Sequence, residues 1–517
     1  MSEAAPPRRV ELPLLRGSEL LLVTIAISLA TFMEVLDITI VNVSVPAIAG
    51  TLGVSPNEGT WTITSYSMAA AIMQPLTGWL GRRFGEVRTF AVSTLLFVLF
   101  SALCGLATSM PMLVFFRLMQ GAVSGPMAPM AQSLLLRNHR PEKRGMAMGI
   151  WGMVIVVAPI FGPILGGWIT DNLSWPWLFY INVPVGLIAS ITVWGLLRRR
   201  ETERQRVPVD ITGLLLLFTG VGALQFMLDN GNDKDWFGSP LIVAAAVVAV
   251  VCITLLIAWE LTDAHPVVDM HLFRFRNFNV GASVTCLGFA AFMGSTVTIP
   301  LFLQLTAGYT ATWAGLAMAP VGIMALFLMP LVGANLQRIN IRVAACFGLL
   351  VLAICMYWYS RLNPTASFLQ MSEPRIFQGI GLAFFFMPLQ QIMLSDVDSA
   401  HLAAAAGVSN FLRNIAGSFG TAASIWLWST RTDFHRTMLA QHVTAGTAWN
   451  DWSGSLAAAG MDGARALAYT DNVVSLQART LGANDVFLAF AVFTLIALPI
   501  VWLARPPFKG LSRGAAH

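Results

Sequence analysis

Charge is what this 517-residue chain has least of: Asp, Glu, Lys and Arg together make up 11% of it, where a soluble globular protein carries about a quarter. With 56% hydrophobic residues and a mean hydropathy of +0.69, that scarcity excludes a fold in water. Alternating segments of about ten residues, the mark of a transmembrane β-barrel, are missing as well. There is no G-x-x-x-x-G-K-[ST] phosphate loop and no H-E-x-x-H, and the seven histidines lie mainly in loops. ATP is therefore not an energy source through that motif, and neither a catalytic residue, a metal site nor a cofactor is expected. The five cysteines, Cys104, Cys252, Cys286, Cys346 and Cys355, fall inside apolar segments without metal-ligand spacing and read as packing residues. No A-x-A-like cleavage site follows the first apolar run, which reads as a retained helix.

What the chain does have is a series of apolar runs of roughly 20 residues, enough to cross about 30 Å of hydrocarbon. They predict about fourteen helices, at 19–45, 60–80, 89–107, 111–134, 145–169, 177–197, 210–228, 240–261, 279–303, 312–333, 343–361, 368–394, 402–428 and 484–504. Lys and Arg gather in alternate loops. Arg8, Arg9 and Arg16 precede the first helix, Arg82, Arg83 and Arg88 follow the second, and Arg137, Arg140, Lys143 and Arg144 follow the fourth. "RRRETERQR", Arg198 to Arg206, follows the sixth; Arg274 and Arg276 the eighth; Arg338 and Arg342 the tenth; Arg505, Lys509 and Arg513 the last. The positive-inside rule makes these loops cytoplasmic, with both termini inside. The net charge of +5 thus serves topology and does not imply nucleic-acid binding.

The expected organisation is an all-α polytopic membrane protein. A cytoplasmic N-terminus (1–18) leads into a six-helix half (19–197), a basic cytoplasmic linker (198–209), two inserted helices (210–261) and a second linker (262–278). A second six-helix half (279–504) and a cytoplasmic C-terminus (505–517) complete it. The second half includes a polar, Trp-containing excursion at 430–484 on the outer side, too polar to span and too long for a mere connector.

The two halves echo one another. "FFRLMQGAVSGPMAPMAQSLLL" from Phe115 and "EPRIFQGIGLAFFFMPLQQIML" from Glu373 both carry Arg-x-x-Gln-Gly. "GTWTITSYSMAAAIMQPLTG" from Gly59 and "ATWAGLAMAPVGIMALFLMPLVG" from Ala311 both run from Thr-Trp to Pro-Leu-x-Gly before a basic loop. Two like halves with substrate held between them describe a transporter.

Two carboxylates stand inside the first helix, in "TFMEVLDITIVNVSVP". A charge at the bilayer centre costs at least about 2.5–3.5 kcal/mol, so Glu34 and Asp37 are functional-site candidates by default. Three residues apart, they share a helix face. Arg117 in the fourth helix is the expected partner of Asp37. At a 1.5 Å rise per residue the two lie at depths that agree to within a few ångström. A carboxylate poised between burial and a nearby arginine is able to load a proton on one side and release it on the other. Arg413 lies near mid-membrane in the thirteenth helix and should face protein, water or a carboxylate. Asn42, Gln120, Gln132, Gln304, Gln378, Gln390, Gln391 and Asn410 join it as candidate cavity residues, beside abundant Met, Phe and Trp (24, 32 and 16) that suit varied apolar ligands.

These motifs resemble the fourteen-helix drug:proton antiporters of the major facilitator superfamily, almost end to end. The likeness covers "LATFMEVLDITIVNVSVPAIAG", "PLTGWLGRRFGEVR", "VAPIFGPILGGWITDN", "FYINVPVG", "GYTATWAGLAMAPVGI" and "LARPPF" besides the segments above. The resemblance implies that Leu36, Asp37, Thr39, Asn42 and Pro46 form the first-helix signature, and that Arg117 takes part in proton transfer. It implies that Gly162, Pro163, Gly166 and Gly167 in "APIFGPILGG" are the antiporter signature of the fifth helix, packing on the tenth. Ala158 stands where the family commonly has Gly. In "GWLGRRFGEVR" it implies a cytoplasmic gate loop, with Gly78 and Gly85 permitting tight turns and Arg82, Arg83 and Arg88 as its cations. Gly81 replaces the usual Asp there and puts the customary charge relay in doubt.

The implied activity is proton-coupled export of hydrophobic drugs and uncouplers across a bacterial inner membrane. The implied partners are a periplasmic membrane-fusion adaptor and an outer-membrane channel in a tripartite pump, the excursion at 430–484 being a sensible dock. A single-metabolite exporter of a siderophore or amino acid, a proton symporter and a non-transporting sensor remain alternatives on the same scaffold.

Overall fold

The computed structural model describes residues 15–508, apart from 43, 206–207, 209, 264–265, 399–400, 445–447 and 462. Arg8, Arg9, Arg206, Lys509 and Arg513 of the topology argument, and the side chain of Pro163, lie outside the described residues. Among the described residues, fourteen principal helical units follow in chain order. The first six are α1 (Gly17–Asn42), α2 (Trp61–Met73 continued by Thr77–Phe84), α3 (Glu86–Gly105), α4 (Met110–Ser124 continued by Met127–Asn138), α5 (Pro141–Asn172) and α6 (Asn182–Leu197). The inserted pair is α7 (Ile211–Asn230) and α8 (Pro240–Glu260). The last six are α9 (Arg276–Leu305), α10 (Ala311–Met318 continued by Pro320–Asn335), α11 (Ile341–Tyr359), α12 (Phe368–Leu394), α13 (Leu402–Thr444) and α14 (Gly463–Val501). Local sequence starts several of them: Asp210 caps α7, Asn340 caps α11, and Ser367 with Gln370 forms a capping box on α12.

Among the described residues, eleven helices are long and apolar enough to cross a membrane by themselves. The other three units fall short for stated reasons. α2 breaks around Pro75 and α4 at Gly125–Pro126, where the ring removes a backbone donor. α13 carries Asn410, Arg413 and Asn414 through the middle of its apolar stretch, residues 402–428. All three line the contact between the halves.

Glycine sets that contact. A methyl group on Gly145 or Gly149 of α5 would sit 2.0 Å from the Gly333 carbonyl or 2.5 Å from that of Met329, so α5 and α10 touch backbone to backbone. One on Gly78 would sit 2.6 Å from Ala404 Cβ, and one on Gly407 2.6 Å from the Gln74 carbonyl, which joins α2 to α13. This corrects the reading of Gly78 as a turn glycine: it lies within the helix Thr77–Phe84 and admits α13, whereas Gly85 does adopt φ +92° at the turn into α3. The fifth-helix signature also divides differently. Gly162 and Gly166 back onto Thr39 and Ile40 of α1, Gly167 meets nothing within 4 Å, and the glycines facing α10 are Gly145 and Gly149.

The excursion expected between the last two spans is helical. α13 runs 43 residues, about 65 Å at 1.5 Å per residue, and so continues far beyond the bilayer. α14 begins at Gly463, some twenty residues before the apolar run that marks its span. Helix Ala448–Ala458 lies between them. Ala, Leu, Arg, Met and Gln keep helix propensity high after hydropathy has fallen, so the hydropathy boundary and the helix boundary part company. Arg431 and His435 both reach Asp485 (2.6 and 2.7 Å), Arg436 reaches Asp471 (2.8 Å), and Trp428 donates to the Arg479 carbonyl (2.9 Å), tying the two long helices together.

Gly145→Ala should lower the melting temperature of the detergent-purified protein, because overpacking of this kind costs about 1–3 kcal/mol. Gly167→Ala, with open space and a gain in helix propensity of about 1 kcal/mol, should leave it unchanged or raise it.

Candidate functional site

The centre of the first half is a fully enclosed ion pair. Arg117 of α4 and Asp37 of α1 are in direct contact through Nη1 and Oδ2, both side chains wholly buried. Asp37 Oδ1 accepts from Asn182 Nδ2 of α6 at 2.7 Å and from Gln120 Nε2 at 3.2 Å. Gln120 Oε1 accepts from Arg117 at 2.9 Å, and Arg117 Nε donates to the Thr62 carbonyl of α2 at 3.0 Å. Asn182 also donates to Ser101 of α3 (3.0 Å), whose hydroxyl donates to the Phe179 carbonyl (2.8 Å). The guanidinium lies 4.2 Å from the centre of the Tyr66 ring. Its Nη2 has no partner, and neither does the Tyr66 hydroxyl.

The motif explains its own geometry. A methyl group on Gly121 would meet the Tyr66 carbonyl at 2.3 Å, so the glycine of Arg-x-x-Gln-Gly brings α4 against α2 and Arg117 within reach of Thr62. The second half repeats the construction. A methyl group on Gly379 of α12 would meet the Val321 carbonyl of α10 at 2.6 Å, Arg375 Nη1 donates to Gln378 (2.5 Å), and Gln378 Nε2 donates to Ser295 of α9 (3.3 Å). Ser295 thus occupies the place that Asp37 has in the first half. Arg375 is completely buried, with the Met318 sulfur at 2.8 Å and the Tyr359 ring at 5.9 Å, and forms no ion pair among the described residues.

A second polar cluster joins the halves. Gln132 of α4 donates to Gln390 of α12 (2.9 Å), Asn410 of α13 donates to Gln132 (3.3 Å), and Arg413 donates to Asn410 (2.6 Å). Arg413 is ringed by Trp151, Phe289 and Phe386 at 5.4–5.8 Å, with Nε and Nη1 unpartnered. Glu34 is buried on α1 and lies against the backbone N–H of Ala128, in the first turn that the α4 break creates. Its Oε2 has no partner. Glu34 and Arg413 feel each other's charge without a direct ion pair. Two incompletely satisfied ionisable groups, one acidic and one basic, are therefore buried near this junction.

Three candidate cavity residues sit elsewhere. Asn42 is exposed at the end of α1, and Gln304 is exposed at the end of α9, bonded to the Pro300 carbonyl at 3.3 Å. Gln391 turns away from its neighbour Gln390 and donates to the Phe508 carbonyl at 3.2 Å. At the gate loop Arg82 and Arg83 are half-buried and Arg88 is exposed. Glu86 supplies a buried carboxylate beside Gly81, bonded by Arg137 (2.9 Å) and Ser133 (2.8 Å). Glu201 of the linker accepts from the backbone of Val87 (3.0 Å) and Arg88 (2.8 Å). Glu86, Asn182, Ser101, Tyr66 and Ser295 were not singled out from sequence. Asn182 and Ser101 are polar residues in apolar helices, a signal that was available.

A family profile described as Major Facilitator Superfamily matches residues 27–421. The chain is 48% identical over 501 residues to the multidrug export protein EmrB of Haemophilus influenzae, covering 96% of this chain and 98% of that one. It is 45% identical to EmrB of Escherichia coli K12 (97% and 99% covered) and 43% identical to the fatty acid resistance protein FarB of Neisseria gonorrhoeae (98% and 100%). Among solved structures, the human organic anion transporter MFSD10 aligns with a TM-score of 0.60 at 12% identity, covering 94% of this chain and 100% of that one. The proton:xylose symporter XylE aligns at 0.61 and 14%, covering 96% and 98%. These two likenesses bear on the fold alone.

Arg117→Met should destabilise the protein by about 3–5 kcal/mol, since it strands Asp37 as a buried charge. The double variant Asp37→Asn/Arg117→Met should be less damaged than the two single effects summed, as read from a double-mutant cycle of unfolding in mixed micelles.

Proposed function

The chain belongs to the major facilitator superfamily, and from that premise we propose that it is a proton-coupled antiporter for hydrophobic drugs and uncouplers. It is a transporter rather than an enzyme, and its near relatives make it a multidrug efflux transporter. The observation that carries the coupling is the enclosed Asp37–Arg117 pair. The pair and its three partners, Thr62, Gln120 and Asn182, come from α1, α2, α4 and α6, so a proton arriving on Asp37 changes the balance at a junction of four helices.

Protonated, Asp37 no longer compensates Arg117, and the guanidinium is left with the Thr62 carbonyl, Gln120 and the Tyr66 face. Each protonation state thus favours a different arrangement of the helices, as alternating access requires. Glu34 couples the same helix to the second half. Ionised, it attracts Arg413 and draws α13 toward α1; protonated, it releases Arg413. Gln120, Gln132, Gln390, Asn410 and Arg413 are the polar contacts offered to cargo, and Trp151, Phe289 and Phe386 the apolar ones. The relatives' names, multidrug export and fatty acid resistance, support a hydrophobic cargo.

The protein works in a bacterial inner membrane with both termini cytoplasmic, the basic loops facing inward. The hairpin formed by the outer ends of α13 and α14 docks an EmrA-like periplasmic adaptor leading to a TolC-like outer-membrane channel. The length and ion pairing of that hairpin support this reading.

Wild type and Asp37→Asn, reconstituted in acid-loaded liposomes, separate the roles. Ethidium should drive proton release through the wild type and none through the variant, which should still bind the dye. Normal exchange by the variant would place the proton path elsewhere, with Glu34→Gln the next variant to assay.

A further inference from the structure

A groove of about 490 Å³ runs between α11 and α14 at the end of the bundle that carries the basic loops. Val343, Phe347 and Leu350 line it from α11, Leu498 and Pro499 from α14, and Trp502 from just past the end of α14, with almost no polar surface. Four of these side chains stay about half exposed, Val343 at 51%, Phe347 at 45%, Leu350 at 44% and Trp502 at 55%, on helices that cross a membrane. The exposed lining is therefore against lipid. From Val343 to Leu350 the groove descends about 10 Å at 1.5 Å per residue, within the roughly 15 Å depth of one leaflet's hydrocarbon.

Its mouth is cationic. Arg342 donates from Nη2 to the Ala504 carbonyl, and its guanidinium lies 5.9 Å from the Trp502 ring centre and 5.5 Å from that of Phe508. Its Nε has no partner. Arg276 donates to the adjoining Leu503 carbonyl at 2.6 Å, and Arg505 is the next residue along, exposed. Two guanidinium groups thus converge on the 503–504 carbonyls beside the exposed Arg505, and none of the three arginines takes part in an ion pair among the described residues. The carboxylate that comes nearest by hydrogen bonding is Asp396. It accepts from Asn277 (3.1 Å), which itself accepts from the Arg505 backbone (2.8 Å). A role as topology anchors requires these arginines to reach water. It does not require two of them to fold back onto the 503–504 carbonyls at the top of an apolar groove.

We propose that this groove holds one anionic phospholipid of the adjacent leaflet, its acyl chain between α11 and α14 and its phosphate at Arg342 and Arg505. A guanidinium fork matches phosphate oxygens geometrically, and basic pockets beside membrane helices select anionic head groups. Trp502 sits at the depth where aromatic side chains anchor to the interface. A zwitterionic lipid would bring its own cation into the field of three arginines, so phosphatidylglycerol binds in preference to phosphatidylcholine. The assignment is independent of the transport reading.

Native mass spectrometry of the detergent-purified full chain tests it, with phosphatidylglycerol and phosphatidylcholine of identical acyl chains. Wild type should retain the first phosphatidylglycerol several-fold better than phosphatidylcholine. Arg342→Gln should bring the two level, and Arg342→Lys should keep most of the preference. Leu350→Trp, which fills the groove, should weaken both lipids. Arg505→Gln gives a smaller loss and serves if Arg342→Gln does not fold. Equal retention by wild type overturns the proposal, as does an unchanged preference after loss of the arginines. Displacement of phosphatidylglycerol by an equal concentration of palmitate would also overturn it, assigning the groove to free fatty acid.

Discussion

Everything in the first half is arranged around one requirement, that a carboxylate withdrawn from water must be surrounded by donors that hold it. An isolated ion at that depth would be driven neutral or out. Asp37 escapes this because Arg117, Gln120 and Asn182 converge on its two oxygens. Arg117 is in turn held because Gly121 and Gly125 of α4 let the backbone of α2 come close and bring the Thr62 carbonyl to its Nε. The same pair constrains α1, α2, α4 and α6 together, and it fixes the face of α1 on which Glu34 meets the second half. Replacing such a cluster with well-packed apolar side chains of similar volume is often neutral or stabilising. Its retention is understandable if the charge has work to do.

The second half shows what the construction looks like without the carboxylate. Arg375, Gln378 and Gly379 keep the positions of Arg117, Gln120 and Gly121, and Ser295 stands in for Asp37. Arg375 then leans on Tyr359, Gln378 and a methionine sulfur. The halves are thus alike in architecture and unlike in charge. Among the described residues the buried mid-membrane carboxylates, Glu34 and Asp37, belong to the first of them, and the other contributes the cation Arg413 to the junction.

Much of this was legible in the sequence, and the failures have physical causes. Spans, their order and the inserted pair follow from hydropathy and loop charge, because the bilayer imposes a length and a polarity on each crossing. The pairing of Asp37 with Arg117 followed from depth alone. Hydropathy measures partition into lipid, however, and says nothing about whether a helix continues in water, so the ends of α13 and α14 were misplaced. Gly78 beside a basic loop reads as a turn, and only packing against Ala404 shows its use. Asn42, Gln304 and Gln391 are polar like Gln132 and Asn410, but periodicity on a helix polar at both ends does not tell an inward face from an exposed one. Asn182 and Ser295 gain meaning from partners about 145 and 83 positions away, separations that no local pattern reports.

The length of α13 has a mechanical meaning. The helix that holds Asn410 and Arg413 between the halves also holds Arg431, His435 and Arg436 beyond the membrane, with no break between them. A rod of about 65 Å converts each degree of tilt into about 1 Å at its far end. α14, cross-linked to it through Asp485 and Asp471, must follow. Any rocking of the second half about its buried arginine is therefore displayed, amplified, as sideways travel of the outer hairpin. Whatever rests on that hairpin is moved by each turn of the transport cycle.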